Sequence, residues 1–159
     1  MKLRKFILAA VLTSAASLAQ AGYQYVGSWQ VDDGPNWTTV PEAYTGQEAA
    51  ALLFGGSASD YAISTISSLV GDIDNLAWIS TWGGACGGSF PCGTKVAENF
   101  EVSTAGLYAN VGDTSTYVED WAIGDEYTNY AFRAVPEPVS LALMGLGLAG
   151  LSLSRRRQV

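Results

Sequence analysis

The chain has 159 residues, a net charge of −7 at pH 7 and no histidine, so Ser-His-Asp and Cys-His catalysis and zinc sites with histidine ligands are excluded. Residues 22–134 contain two basic and fourteen acidic residues, which gives this part of the chain a net charge of −12. Because such a surface repels nucleic acid and anionic lipid headgroups, we expect no nucleic-acid partner.

The segment Met1–Ala21 is typical of a secretory signal peptide. An apolar run begins at Phe6, and Ala19-Gln20-Ala21 has the small-residue spacing of a cleavage site. We therefore expect export through the Sec machinery, with cleavage after Ala21 and a mature chain that starts at Gly22. The basic residues that precede the apolar run are Lys2, Arg4 and Lys5.

Residues 22–134 predict one small exported domain that is mainly β. Short segments rich in aromatic and β-branched residues are separated by Gly, Asp, Asn and Pro, a pattern typical of antiparallel strands joined by turns. We expect a small antiparallel β-sandwich-like domain with one or two short helices. The predicted strands are Tyr23–Val31, Trp37–Val40, Leu76–Trp82, Val96–Ser103, Leu107–Val111, Thr116–Ile123 and Tyr127–Ala134.

A helix is predicted to follow Thr45. Thr45 and Glu48 have the spacing of a capping box, in which each side chain accepts a hydrogen bond from the other residue's backbone amide. An alanine- and leucine-rich run continues to Phe54, and the glycine pair at 55 and 56 predicts the end of the helix. A second segment, Asp60–Leu69, has apolar residues at helical spacing and a composition that also suits a strand, so both interpretations stay open.

The two cysteines, Cys86 and Cys92, lie in a glycine-rich segment with five residues between them. In an exported protein this spacing favours a disulfide that closes a small loop. A metal site would need further ligands, and a reactive thiol pair would be expected to have basic neighbours, of which Lys95 is the nearest. We therefore predict a structural disulfide.

All five tryptophans and all eight tyrosines lie within residues 22–134. Such rings either fill the core of a small β domain or, when exposed, offer flat faces on which sugars stack. Trp78 and Trp82 flank an apolar strand and are predicted to be buried. Trp37 and Tyr44, which lie beside turns and the helix entry, are predicted to be exposed and are weak candidates for sugar binding.

Two acidic turns, residues 32–36 and 72–75, each offer two or three oxygen ligands, whereas calcium takes about six to eight. We interpret them as Asx turns and predict no metal site and no cofactor. A glycosidase would need two carboxyl groups at a set separation, for which the candidates are Asp32 or Asp33 with Asp72 or Asp74, or Glu119 with Asp120. Nothing in the sequence indicates such a pair, so we expect that the protein is not an enzyme.

The C-terminus has three parts in a fixed order. Pro136-Glu137-Pro138 comes first, the uncharged apolar run Val139–Ser154 follows, and Arg155-Arg156-Arg157 ends it. As a helix, the run of sixteen residues would be about 24 Å long, somewhat short of the ~30 Å hydrocarbon core. The arginine cluster would stay on the cytoplasmic side. The prolines would keep the preceding segment extended.

This order of parts resembles the PEP-CTERM sorting signal of exported bacterial proteins. The resemblance implies processing by an exosortase-type membrane enzyme that recognises Pro136, Glu137 and Pro138, with Arg155, Arg156 and Arg157 as the cytoplasmic stop. Within residues 22–138, the segments QEAAALLFGG, SDYAIST, LAWISTWG and NYAFRAVPEP also resemble a recurrent arrangement in small PEP-CTERM proteins without an assigned activity. That second resemblance implies no chemistry.

Together these observations predict an exported protein of the cell envelope or extracellular matrix with a non-catalytic structural or interaction role. The domain would first be periplasmic, held transiently at the inner membrane by residues 139–154, and would reach the cell surface or medium after processing. The alternative function is a polysaccharide-binding module that uses exposed Trp and Tyr rings, with calcium at the acidic turns as an aid. In that case extracellular polysaccharide would be a further partner.

Overall fold

The computed structural model describes residues 22–83, 93–101, 106–120, 127–135 and 145. Tyr23–Ala134 forms one compact unit, and the flanking residues belong to a separate unit that lies almost wholly outside the described residues. The predicted signal peptide, disulfide and membrane segment fall outside these residues, apart from Gly145, and they stay predictions. Within the described residues, no helix is long and apolar enough to cross a membrane.

Six strands form two three-stranded sheets in the described part of the chain. The strands are β1 Gly22–Gln30, β2 Tyr61–Ser64, β3 Leu76–Thr81, β4 Thr94–Ala97, β5 Thr114–Ser115 and β6 Thr128–Val135. Their order is β1-β6-β2 in one sheet and β4-β3-β5 in the other. The mainly β class is thereby confirmed. A closed sandwich is a more specific arrangement and stays a prediction.

All the pairings in these sheets are antiparallel. Tyr61 lies opposite Arg133 and Ile63 opposite Ala131 in the pair β2–β6, while β3 pairs antiparallel with both β4 and β5. For β1 and β6, two contacts fix the direction. The amide of Val31 donates to the carbonyl of Tyr127 at 3.2 Å, and six residues earlier Tyr25 packs edge-on against Phe132, further along β6. Strand β1 therefore begins at the end of the sheet where β6 finishes.

The helix α1, Gly46–Phe54, begins and ends where the sequence predicts. The Thr45 hydroxyl accepts from the Glu48 amide at 3.1 Å, and the Glu48 carboxylate accepts from the Thr45 amide at 2.9 Å. At the other end Gly55 has a φ of +77°, which favours glycine, and its amide donates to the Ala51 carbonyl. The predicted capping box and glycine stop are confirmed.

The ambiguous segment Asp60–Leu69 begins as a strand. Residues Tyr61–Ser64 form β2, and all four are buried. These residues pack against β6 on one side and against α1 and β3 on the other. Because that packing buries all four side chains, the segment is more stable as a strand than as a helical turn. After Ser64 the chain turns, and the Ser64 hydroxyl accepts from the Ile66 amide at 3.1 Å and donates to the Asp72 carbonyl at 2.6 Å.

The core lies between the buried side of α1 and strands from both sheets. Close packing is clearest at Gly46, where a Cβ atom would lie 2.7 Å from the Cβ of Ala77. The indole N–H of Trp29 donates to the carbonyl of Thr116 at 2.9 Å, so its polar atom is satisfied inside the core. The buried members of this cluster are Trp29, Ala49, Ala50, Tyr61, Ile63, Ala77 and Ala131.

Glu98, which follows β4, holds the outer edge of β2. Its carboxylate accepts from the Ile63 amide at 2.7 Å and from the Gln47 side chain at 3.1 Å. The Asn75 amide donates to the Ile63 carbonyl, which completes the cover of this edge. Burial raises the pKa of Glu98, and the hydrogen bonds from Ile63 and Gln47 oppose that rise. The Glu98 carboxylate thus takes the place of a backbone acceptor that a neighbouring strand would provide.

The predicted strand Trp37–Val40 is wrong. Residues Trp37–Thr39 form a 3-10 turn instead, because the Asn36 side chain accepts from the Thr38 amide at 3.0 Å and caps the turn. Val40 then adopts a φ of +52°, which is incompatible with a continuing strand. The β-branched composition of the segment favoured a strand, but the local cap determines its conformation.

Three later strands are shorter than predicted. In place of Leu107–Val111 there is a single bridge at Leu107, since the Asp113 carboxylate accepts from the amides of Ala109 and Asn110. Of Val96–Ser103, the first two residues belong to β4, which begins earlier, at Thr94; residues 98–101 form no strand, and 102–103 are outside the described part of the chain. Of Thr116–Ile123, residues 116–120 lie just after β5 and form no strand, and residues 121–123 are outside the described part of the chain.

Candidate functional site

The start of the predicted sorting segment is built into the sheet. Strand β6 runs to Val135, immediately before Pro136. Ala134 and Val135 are exposed, whereas Ala131 and Phe132 in the same strand are completely buried. The chain therefore leaves the domain directly from a paired strand. No linker separates the folded domain from the proline pair.

Arg133 fixes this exit point to the rest of the domain. One guanidinium nitrogen donates to the Phe54 carbonyl at 2.9 Å and also to the Gly55 carbonyl and the Tyr61 hydroxyl. The guanidinium also lies 4.9 Å from the centre of the Tyr61 ring, close enough for a cation–π contact. A cation at the C-terminus of a helix is favoured by the helix dipole. Arg133 thus fastens the end of β6 to the end of α1.

Trp37 belongs to a row of three rings. Its ring meets Trp82 edge-on at a centroid distance of 5.1 Å, and Trp82 stacks on Tyr108 at 5.7 Å. Trp37 and Trp82 are half-buried and Tyr108 is completely buried. Trp82 is therefore less buried than predicted, and Trp37 is less exposed than predicted. Each of the two indoles retains some solvent-accessible surface.

The inner end of this row is polar. The Tyr108 hydroxyl donates to the Asp120 carboxylate at 2.7 Å, and both side chains are buried. Burial raises the pKa of Tyr108, and the hydrogen bond to Asp120 raises it further. Glu119, the neighbour of Asp120, is exposed. One of these two carboxylates lies in the core and the other in solvent, so they do not form the facing pair that glycosidase chemistry requires.

Tyr44 does not join Trp37. Its ring packs against Tyr117 at 6.5 Å, and its hydroxyl donates to the Glu42 carboxylate at 2.8 Å. Burial, together with that hydrogen bond, raises the pKa of Tyr44 to about 12. Tyr44 is half-buried, so the predicted exposed pair of Trp37 and Tyr44 is two separate ring clusters. The role of either residue in ligand binding stays a prediction.

Trp78 is also half-buried, although burial was expected. It lies opposite Lys95 in the β3–β4 pair, and the Lys95 ammonium sits 4.4 Å from the centre of its ring. Tyr127 meets the same ring edge-on at 4.7 Å. Strand β4 is an edge strand of alternating half-buried and exposed residues, so it cannot cover this indole completely.

The acidic turns use their carboxylates in local hydrogen bonds. The Asp33 carboxylate accepts from the Gln30 amide at 2.8 Å. The Asp72 carboxylate accepts from the Ser67 hydroxyl, and the Asp74 carboxylate from the Thr65 hydroxyl, each at 2.6 Å. Such bonds are typical of side chains that stabilise turns. Among the described residues there is no group of three or more Cys, Asp or Glu side chains able to hold a metal ion.

Several residues that organise these sites were not singled out from the sequence. Arg133 had a detectable signal, because it is one of only two basic residues in an acidic domain and directly precedes the sorting segment. Tyr108 had none, since its contact with Trp82 joins residues twenty-six positions apart.

Comparison with known proteins yields one match. Residues 134–157 match the family model of the PEP-CTERM protein-sorting motif. No curated protein and no solved structure matches the chain. The matched range contains every element of the predicted signal, from the proline pair to the arginine cluster.

The matched range overlaps the end of β6. Its first residues, Ala134 and Val135, are the exposed end of that strand. A motif of this kind is consistent with an exosortase substrate that is exported through a membrane-anchored intermediate. Residues 134–157 of this chain are a PEP-CTERM protein-sorting motif.

Proposed function

We propose that the protein is a non-catalytic component of the cell envelope or extracellular matrix, delivered by the sorting motif. The observation that carries this proposal is the motif match at residues 134–157, joined without a linker to a compact mainly β domain. The polar groups of that domain support its non-catalytic role, because many of its carboxylates form hydrogen bonds within the fold. The carboxylates of Asp33, Asp72, Asp74 and Glu98 accept hydrogen bonds from nearby groups of the fold. Asp120 accepts from a buried tyrosine.

The proposed course of events has two cleavages. The signal peptide is removed after Ala21, and the domain stays on the periplasmic side of the inner membrane while residues 139–154 span it. An exosortase-type enzyme then acts at Pro136, Glu137 and Pro138, and the domain passes to the surface or medium. Arg133 supports such processing, because it holds the end of β6 to α1 three residues before the first proline.

The intact mass of protein recovered from the envelope and from the medium tests this proposal. We expect a chain that begins at Gly22 and has lost the tail that follows Val135. We also expect a deficit of about 2 Da from the Cys86–Cys92 disulfide. The double substitution Pro136→Ala and Pro138→Ala should leave protein that begins at Gly22 and retains its C-terminal segment in the membrane fraction. Pro35→Ala, in an exposed turn of the domain, is the matched control and should be processed normally.

Two results would contradict the proposal. One is a recovered chain that retains residues 1–21 and is confined to the cytoplasm. The other is identical processing of the proline double variant and the control. Either result would show that the domain does not follow the proposed route of export and C-terminal processing.

A second candidate function is polysaccharide binding at Trp37 and Trp82. The observation that favours it is that both indoles keep exposed surface while Tyr108 supports the row from inside. We expect Trp37→Ala to abolish retention of the protein on the host's extracellular polysaccharide, while Tyr23→Ala, an exposed ring elsewhere, has no effect. Equal retention of both variants would rule out this site. The comparison should be repeated with a calcium chelator, which tests the predicted calcium assistance separately.

A further inference from the structure

Strand β1 is an exposed edge of the first sheet. In the described part of the chain it is paired on one side only, with β6, and it is nine residues long. Residues Gly22–Val26 are exposed, and the fractional exposures of Tyr23 and Tyr25 are 41% and 38%. An edge of this length presents a row of backbone donors and acceptors that another strand can pair with.

The other edges among the described strands are blocked or short. The outer edge of β2 is covered by the Glu98 carboxylate and the Asn75 amide. Strand β4 has four residues and carries the exposed charge of Lys95, a common feature that discourages edge pairing. Strand β5 has only two residues. Strand β1 contains no charged side chain and no proline, although the Asp33 carboxylate accepts from the amide of its last residue, Gln30.

We propose that β1 pairs antiparallel with β1 of a second copy of this chain, joining two three-stranded sheets into one of six strands. Charge is the first reason. Residues 22–134 carry a net side-chain charge of −12, yet no side chain of Gly22–Gln30 is charged. Two copies that approach through β1 therefore bring no like charges into direct contact, whereas most other approaches oppose acidic surfaces.

Self-complementarity is the second reason. A two-fold symmetric contact must match the same surface on both copies. Antiparallel pairing of β1 with itself, centred on Val26, places Val26 opposite Val26 of the other copy. Tyr23, Tyr25 and Val26 are exposed on this strand, so each copy presents the same uncharged, largely apolar surface.

The geometry of the sheet also indicates when this pairing occurs. Strand β1 begins at the end of the sheet where β6 reaches Val135, so an antiparallel β1–β1 pair places the two Val135 residues at opposite ends of the joined sheet. Two copies still held in one membrane by their C-terminal segments would have to accommodate these opposed exits. Pairing is therefore favoured in protein released from that segment, and this timing alone rests on the proposed processing.

Sedimentation velocity of protein recovered from the exporting cells tests the pairing. We expect the wild type to sediment as a dimer at micromolar concentration, and Val26→Asp, which sets two carboxylates against each other across the two-fold axis, to sediment as a monomer. Val26→Thr keeps the β-branched shape without charge and should stay dimeric. Val111→Asp adds the same charge at a site that is 74% exposed and should also stay dimeric. Circular dichroism of each variant reports whether the fold is intact.

Two further readouts identify the strand and the nature of the contact. Val26→Cys should form an intermolecular disulfide on mild oxidation, because the two Val26 residues face each other, whereas Val111→Cys and the wild type should not. Raising the salt concentration should strengthen the dimer, since it screens the repulsion between two acidic domains. A contact made by opposite charges would weaken instead.

The proposal fails if the wild type is monomeric over the whole concentration range. It also fails if Val26→Asp and Val111→Asp dimerise equally. The intact mass of each sample shows whether the C-terminal segment has been removed. If that segment is retained, the processing proposal fails, while the dependence on Val26 still decides the pairing.

Discussion

The side-chain amide of Asn129 forms two hydrogen bonds with the backbone of Trp78. The Trp78 amide donates to the Asn129 carbonyl oxygen at 2.8 Å, and the Asn129 amide nitrogen donates to the Trp78 carbonyl at 3.1 Å. Asn129 lies in β6 and Trp78 in β3, so these two bonds join the two sheets. Since Asn129 is completely buried, no solvent competes for them.

Asn129→Ala should reduce the free energy of unfolding by about 1–3 kcal/mol, because it leaves a buried donor and a buried acceptor of Trp78 unsatisfied. Asn129→Asp keeps the acceptor but places a carboxylate against the Trp78 carbonyl, so its loss should be larger at pH 7 and should shrink in acid as the carboxyl protonates. Urea unfolding at pH 7 and pH 4, each variant compared with wild type at the same pH, measures both effects. Asn99→Ala, the same substitution at an exposed position after β4, is the control. A loss no greater than that of the control would contradict the linking role.

Gly46→Ala should destabilise the protein by about 1–3 kcal/mol, although alanine is a better helix former than glycine. The added Cβ would lie 2.7 Å from the Cβ of Ala77 and 3.3 Å from Ile63, both in the core. Gly71→Ala is the matched control, because Gly71 is exposed and has no atom within 4 Å of its added Cβ. Denaturant unfolding should show a change within about 0.5 kcal/mol for that variant. A gain in stability for Gly46→Ala would show that the helix shifts to make room.

Arg133→Lys should weaken the attachment of β6 to α1. Lysine keeps the charge, but its single ammonium cannot reproduce the planar contact with Tyr61 together with the bonds to the Phe54 and Gly55 carbonyls. We expect a loss of about 1–3 kcal/mol, and a larger one for Arg133→Ala. Lys95→Ala, which removes a cation from an exposed ring contact, should cost no more than about 1 kcal/mol. Chemical denaturation measures the free energy of unfolding of the three variants. Equal losses for Arg133→Lys and Lys95→Ala would contradict the role of Arg133 in attaching β6 to α1.

Alkaline pH should destabilise the fold through Tyr44 and Tyr108. Burial raises the pKa of both hydroxyls above the ordinary value of 10.0, that of Tyr44 to about 12. Below pH 10 each tyrosine is protonated in both the folded and the unfolded states, so it adds no pH dependence. Above pH 10 the unfolded chain releases its protons first, and the free energy of unfolding falls as the pH rises.

Melting temperatures from pH 8 to pH 12 test this behaviour. Tyr44→Phe removes one titrating hydroxyl and should reduce the fall between pH 10 and about 12. Tyr23→Phe, at an exposed tyrosine, should leave the slope unchanged. Parallel curves for wild type and Tyr44→Phe would exclude Tyr44 as a source of the alkaline loss.

The elements predicted well are those whose signals are local. Helix α1 follows from the Thr45–Glu48 capping box and the glycine stop, and β3 and β6 follow from short apolar segments bounded by turns. The wrong predictions arose where a side chain replaces a backbone partner. Asn36 caps the turn that replaces one predicted strand, and Asp113 takes the amides that another strand would have used. Composition alone does not reveal either bond.

For the candidate sites, prediction from the sequence is limited because the residues that meet are far apart along the chain. Trp37 is evident in the sequence, but its partner Trp82 lies forty-five residues further on. The separation of Trp37 from Tyr44 is likewise a tertiary outcome, because each ring is held by a different neighbour. The buried Tyr108–Asp120 pair and the neutral edge of β1 also depend on which surfaces the sheets cover.

The sequence by itself determined the sorting motif, the acidic character of the domain, its mainly β class and the position of α1. These properties depend on adjacent residues or on composition, which folding does not alter. Only the tertiary structure decided which aromatic rings meet, where Arg133 fastens the last strand, and which strand is left at an open edge. Those outcomes depend on burial and on hydrogen bonds between distant residues, and the chain acquires both only when the two sheets and α1 pack together.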